Sequence, residues 1–343
     1  MAAKQQLHDM KPEHWRYAPT PFKSEAVRLD ALKKGRRSFI VSVLTLFSLA
    51  VVTVLAVASA AIHEDGMTLD TPRALQVLSH GSEMRATLYL ADGQGPHPTV
   101  VLLHGFPGGP GWAWLAGPLR EAGFNVLFLH PRGMWGSEGT FGPAQALDDI
   151  AATVDFLRSE PATSEFLIDP DAVILVGHSF GGWLALKTSA ARPEVACVAA
   201  LTPGNLGQIA QRLADDAGFR ASWIASMSRW VEGDAPPIRV EHDIGLLVAD
   251  LIDNAQDYDA RRVISLLHNR PVLLLAASDD RVTTIEEHHA PLLLAFQESN
   301  ASRLTEVVLP TDHMISNRRA LLVSTLAGWL RHECLIAEGD NPT

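Results

Sequence analysis

The sequence predicts an α/β fold built on a mostly parallel, doubly wound sheet. Three observations carry that expectation. Short apolar runs recur at 99–103, 125–129, 172–176, 195–201 and 272–276. Such runs are strand-length and continuous enough to be buried on both faces. Segments of helical pattern separate them, at 114–122, 144–158 and 317–332, and that alternation is the signature of a parallel sheet. Finally, the run at 172–176 passes directly into Gly177-His178-Ser179-Phe180-Gly181-Gly182. A Gly-x-Ser-x-Gly between strand and helix is a turn so tight that its flanks must be small.

Taken in order, residues 87–90 alternate and read as an early antiparallel strand, turned by Asp92-Gly93-Gln94-Gly95-Pro96. The strand at 99–103 ends at His104-Gly105, and Gly123 stops the helix that follows. The last strand, 304–309, precedes the final helix. Residues 204–268 break this rhythm. They are helix-like, rich in Trp, Arg and Asp, and interrupted by Pro236-Pro237. A long insertion between core strands is usually functional, so a helical cap over the strand ends is expected. The plainer alternative is two ordinary crossover helices with long loops.

The N-terminal residues differ in kind. Residues 1–37 form a polar tail, expected in the cytoplasm, that ends in Lys33-Lys34-Gly35-Arg36-Arg37; residues 38–62 then carry no charge. That is long enough to cross a bilayer. Basic residues before the span and Glu64-Asp65 after it place the N-terminus inside and the bulk of the chain outside. The span is either a single-pass membrane anchor or an export signal. Ala58-Ser59-Ala60 fits a cleavage site, and Arg36-Arg37-Ser38-Phe39-Ile40 is similar to a twin-arginine signal. The main domain is expected over 70–335.

Composition narrows the function. The 343 residues are 47% hydrophobic and 20% charged, with a net charge of −11. Without a basic stripe, a nucleic-acid partner is excluded. Two cysteines are too few for a disulfide framework, and Cys197, in a predicted buried strand, reads as an inert core thiol beside the distant Cys334. No zinc-ligand spacing is present, so neither metal nor cofactor is expected. Glu286-Glu287-His288-His289 reads as a solvated helix face, because adjacent helical residues diverge by about 100°.

A serine at such a turn needs a base and an orienting acid, since a neutral hydroxyl is a poor nucleophile. The 272–276 strand runs into Ala277-Ser278-Asp279-Asp280-Arg281-Val282, and the last strand into Pro310-Thr311-Asp312-His313-Met314. Both are strand ends, where open α/β sheets bind ligands. Ser179 as nucleophile and His313 as base follow, with either Asp280 or Asp279 as the acid.

Together these motifs resemble the α/β-hydrolase family over about residues 85–332. His104-Gly105-Phe106-Pro107-Gly108-Gly109 resembles its oxyanion loop. His130-Pro131-Arg132-Gly133-Met134-Trp135-Gly136-Ser137 resembles its Arg-Gly-x-Gly-x-Ser turn, as in the proline iminopeptidase and acylpeptidase-like branches. The family usually has Asp at position 130 and Gly at 277. The resemblance implies a serine hydrolase acting on a carboxylic ester or amide of a small molecule. The same triad would serve an aminopeptidase acting on short peptides, with Glu232, Asp234, Glu241, Asp243 or Asp250 available to meet a terminal amine. A non-catalytic, membrane-associated binding module is the reading from another class. The resemblance also favours Asp280, because Arg281-Val282-Thr283 follow it as they do in the family. Backbone amides of Phe106 and Phe180 would form the oxyanion hole. Trp112 and Trp114, just after the loop, are candidates for a substrate pocket. His104 and His178 read as structural.

Overall fold

The computed structural model describes residues 71–232 and 237–335. The span at 38–62 lies outside the described residues; among these, no helix is long and apolar enough to cross a membrane.

Eight strands form the sheet: β1 (Arg73–Ser79), β2 (Ser82–Tyr89), β3 (His97–Leu103), β4 (Asn125–Leu129), β5 (Ile168–His178), β6 (Cys197–Leu201), β7 (Val272–Ala277) and β8 (Leu304–Leu309). Their order is β1-β2-β4-β3-β5-β6-β7-β8. The β1/β2 and β2/β4 pairs are antiparallel and all others parallel. The interior strands alternate between two cores. In β5, Val173 and Leu175 feed one face while Ile174 and Val176 feed the other. Because both faces are apolar, the strand reads as one continuous hydrophobic run.

Helices flank both faces: α1 (Ala116–Glu121), α2 (Pro143–Arg158), α3 (Glu160–Phe166), α4 (Phe180–Ala191), α5 (Leu206–Asp215), α6 (Ala217–Val231), α7 (Ile244–Asp253), α8 (Ala290–Glu298) and α9 (Arg319–Trp329). Strand order reverses around β3, so the loops after β3 and β5 open side by side at the switch point. The segment between β6 and β7 forms α5, α6, α7 and a 3-10 helix, Ala260–Leu267. After α6 the chain returns to the 130s turn through bridges Met134↔Ile238 and Phe141↔Val240. Among the described residues this segment therefore holds three α-helices and a 3-10 helix, where the plainer alternative has two helices.

Several sequence expectations need correction. Strand β1 was not foreseen; it alternates half-buried with exposed residues until Val77, too weak a pattern to stand out. His80 (φ 46°) and Gly81 (φ 80°) close it onto β2 as a two-residue hairpin. Cys197 is not a free thiol. It is bonded to Cys334, with Cα atoms 5.7 Å apart across 137 residues of sequence. Only the tertiary fold brings them together, because α9 packs Leu322, Leu326 and Trp329 onto the core face that Cys197 also joins. Of the acidic-histidine run, Glu286 and Glu287 are exposed, but His288 and His289 are buried in a π-helical turn, Ile285–His289. His288 Nδ1 accepts the Asn205 amide at 3.2 Å, and His289 Nε2 donates to Glu306 at 2.9 Å.

Candidate active site

Strand β5 delivers Ser179 to the start of α4 with φ 56° and ψ −116°. A non-glycine residue there is strained and must be held by its surroundings. The packing does so: a Cβ on Gly177 would lie 2.0 Å from the Gly181 carbonyl oxygen, and one on Gly181 2.3 Å from that of Leu103. No larger residue fits either place.

Beyond β7 the chain turns at Ser278-Asp279 and buries Asp280. The Asp280 carboxylate accepts the amides of Val282 and Thr283 through Oδ1, at 2.7 and 2.9 Å. Its Oδ2 accepts Thr283 Oγ1 at 2.8 Å and His313 Nδ1 at 2.6 Å. Burial alone would raise its pKa. The His313 hydrogen bond and charge, with the two amides, hold it below the usual carboxylate range. Asp279 points elsewhere: it is exposed, and its amide donates to the Thr311 carbonyl at 3.0 Å. An acceptor-only carboxylate on Nδ1 puts the proton there and leaves His313 Nε2 as a base.

The loop after β8 is itself fixed. Thr311 Oγ1 meets Asn317 at 2.6 Å, and Asp312 accepts the Ser316 amide at 2.9 Å. The His313 carbonyl accepts His178 Nε2 at 2.8 Å. The His178 ring stacks on Trp112 at 4.0 Å and lies 4.7 Å from the His313 ring. Burial, then the His313 charge, push its pKa well down, so it is neutral. Thr283 and His178 thus support His313, and neither role was read from sequence. For Thr283 the three-residue spacing from Asp280, an Asx-turn pattern, was the available signal.

The loop after β3 carries Phe106. His104 Nδ1 donates to the Gly105 carbonyl at 2.8 Å, and His104 Nε2 accepts His130 Nδ1 at 2.9 Å. Both histidines are neutral. Burial lowers His104 to about 4; burial, then the His104 and Arg85 charges, lower His130 to about 3. Gly108, at φ 61°, turns so tightly that a Cβ would lie 2.0 Å from the Gly105 oxygen. This holds the loop against Ser179, whose Cβ would be 3.1 Å from one on Gly105. The Phe180 amide opens α4 and has no acceptor within that helix. The 130s turn is braced by Arg132, whose amide and side chain both bond the buried Asp149.

Ser179, Phe106, Phe180 and Thr283 line one cavity of about 1080 Å³, together with α5, α6 and α7. Trp112 and Trp114 do not line it. Trp112 is buried in the core under His178, and Trp114 lies tilted beside it and under Arg319. Glu232, Glu241, Asp243 and Asp250 are also absent from its wall; Asp243 caps α7 and Asp250 accepts Tyr258 Oη at 2.9 Å. Asp234 lies outside the described residues. The acids that do line the cavity are engaged: Asp215 with Gln211, Asp259 with Arg261, and Glu287 with Arg212.

An elbow serine at the end of β5 and a carboxylate–imidazole pair at the ends of β7 and β8 point to a class, and the comparisons agree with it. Residues 100–324 match the model of the alpha/beta hydrolase family. The chain belongs to that family. It is 28% identical over 127 residues to the thiohydrolase apmlB of Arthrinium phaeospermum, spanning 36% of this chain and 40% of that protein. It is 33% identical over 110 residues to the AB hydrolase superfamily protein YfhM of Bacillus subtilis, spanning 32% and 36%. These matches cover well under two thirds of the relatives' length. Among solved structures, a 2,6-dihydroxy-pseudo-oxynicotine hydrolase superposes with a TM-score of 0.58 at 20% identity, over 78% of this chain and 69% of that one. Est1E from Butyrivibrio proteoclasticus with ferulic acid bound gives 0.58 at 19%, over 76% and 99%. At these identities the structures share the fold.

Proposed function

We propose that the protein is a serine hydrolase that cleaves a carboxylic ester of a small molecule through an acyl-enzyme. Ser179 Oγ attacks the carbonyl carbon while its proton passes to His313 Nε2. Asp280 fixes the imidazole tautomer and stabilises the imidazolium. The oxyanion forms against the amides of Phe106 and Phe180, each such donor being worth about 3–4 kcal/mol. Collapse breaks the carbonyl–oxygen bond to the leaving alcohol, which takes the proton from His313. Water then repeats the cycle on the acyl-enzyme and releases the acid. The observation that carries this reading is the 2.6 Å His313–Asp280 bond beside a serine on a strained elbow. The ligand of Est1E, an aromatic acid, supports an ester of that general size. An ester is favoured over a peptide because, among the described residues, no unengaged acid lines the cavity to meet a terminal amine. A fluorophosphonate probe is expected to label the wild type at Ser179 and to leave Ser179→Ala unlabelled; full labelling of the variant removes the assignment.

The catalytic domain acts outside the cytoplasm, held or exported by residues 38–62. The Cys197–Cys334 disulfide supports this location, because such bonds persist in oxidising compartments. Protease added to intact spheroplasts is expected to digest the domain. Digestion only after lysis contradicts the orientation, and a mature chain starting at Ala61 or Ile62 identifies a cleaved signal.

A further inference from the structure

Helix α6 spans fifteen residues and buries none of them fully. Every other α-helix among the described residues buries at least two. Yet α6 is not polar. Phe219, Trp223 and Met227 recur every four residues, so they share one face. That face is only half-covered by protein, and all three side chains line the cavity that holds Ser179. Its natural complement is an apolar group.

Trp223 does something more. Its ring lies nearly parallel to that of Phe106, with centroids 6.4 Å apart and an angle of 8°. Phe141 stacks on the same Phe106 ring at 4.9 Å and 23°. Phe106 is the residue whose amide faces the developing oxyanion. The peptide that carries this amide is held through its Gly105 carbonyl by His104 Nδ1 at 2.8 Å, and the stacked ring is the second hold on Phe106, on the side of its Cα.

We propose that Trp223 is a positioning residue for the oxyanion hole, and that the substrates are esters with a bulky apolar acyl group seated against α6. The acyl group completes the burial of the α6 face, and Trp223 carries that contact to Phe106. This rests on Ser179 being the nucleophile, and the test separates the two.

The test uses p-nitrophenyl acetate and p-nitrophenyl octanoate with wild type, Trp223→Ala and Trp223→Phe. The acetyl group is too short to need the α6 wall, so it reads the oxyanion hole alone. An aromatic pair contributes about 0.5–1.5 kcal/mol, or about two- to twelvefold in rate. Trp223→Ala is therefore expected to lower kcat on acetate by that factor with KM little changed. Trp223→Phe, which keeps a ring, restores most of it. A buried methylene is worth about fourfold, so wild-type kcat/KM is expected to rise at least tenfold from acetate to octanoate, and Trp223→Ala to lose most of that rise. An unchanged acetate kcat in Trp223→Ala makes the tryptophan a mere wall and overturns the positioning role. An acetate kcat that falls equally in Trp223→Phe, with melting temperatures unchanged, overturns it as well. A wild type indifferent to acyl length overturns the substrate class. If no ester is turned over and no fluorophosphonate label appears on Ser179, the underlying reading has failed instead.

Discussion

Helices α4 and α6 face each other across one cavity and are built on opposite terms. In α4, Phe180 through Leu186 are all buried, and Trp183 Nε1 donates to the Tyr258 carbonyl at 2.7 Å. In α6, the same residue types stand half-exposed along one stripe. The first helix cannot shift without disturbing the sheet. The second has room to adjust to whatever fills the cavity. Interiors packed like α4 are stiff; regions with few buried contacts open at low cost. The proposed mechanism accordingly puts the chemistry that needs fixed angles on the sheet side, and the proposed selection of the acyl group on the α6 side. A change on the sheet side should alter rate by orders of magnitude, and one on α6 by roughly tenfold.

The sharpest way to break that comparison is at the acid. Asp280→Asn is expected to lower kcat by about 10⁴, because an amide presents the wrong partner to His313 Nδ1 and upsets its tautomer. Asp279→Asn, one residue away and exposed, should fall by less than about threefold, as surface changes do. Steady-state kinetics on one ester decide it. The reverse ranking would move the acid to Asp279 and contradict the 2.6 Å contact of Asp280 with His313.

This pair also shows how far a sequence can be read. Residues with a local reason were legible: the elbow around Ser179, the apolar runs of β3 to β7, and the loop carrying His313. Each is set by neighbours in the chain. What escaped depends on distance in the chain. The Cys197–Cys334 bond closes over 137 residues, and His178 meets the His313 carbonyl only after β5 and β8 have joined one sheet. Trp112 follows the oxyanion loop in sequence and is a candidate for the pocket on that ground alone. The chain turns it under the sheet instead, onto His178. His288 and His289 were placed on a solvated face by regular helical geometry, which a π-helical turn does not follow.

The disulfide tests whether the sheet side is rigid because of its packing or because of its staple. It ties β6 to the turn Leu330–Cys334 that follows α9, the helix after the His313 loop. In the chain-entropy account, closing a loop of that length stabilises by about 5 kcal/mol. Cys197→Ala with Cys334→Ala is expected to lower Tm by about 5–15 °C while kcat at 25 °C stays within about threefold. A loss of kcat without a loss of Tm would mean that the bond shapes the His313 loop directly rather than the stability of the fold.

The smallest expected effect lies beneath the oxyanion loop, where His130 stands in place of an acid. His130 Nδ1 donates to His104 Nε2, which must therefore be unprotonated, and burial holds the two rings neutral, with pKa values of about 3 and about 4. In the unfolded chain both titrate near 6.5. Their folded values are depressed, so between pH 6.5 and those values the unfolded state binds more protons. Stability is then fully present above about pH 6.5 and declines as pH falls toward 4. Each such histidine costs about 1.4 kcal/mol per pH unit in that window, before the carboxylates begin to titrate. Wild-type Tm should drop by several degrees between pH 7.5 and pH 5. In His130→Asn, a neutral amide can still donate to His104 Nε2 but cannot take up a proton. The drop should shrink without vanishing, because His104, His178 and His288 are also held low. Scanning calorimetry at the two pH values compares the slopes. Equal drops in both proteins would mean that His130 titrates in the folded protein as it does unfolded, so that it gains a proton as the pH falls to 5 and the loop then rests on a charged imidazolium rather than on two neutral rings.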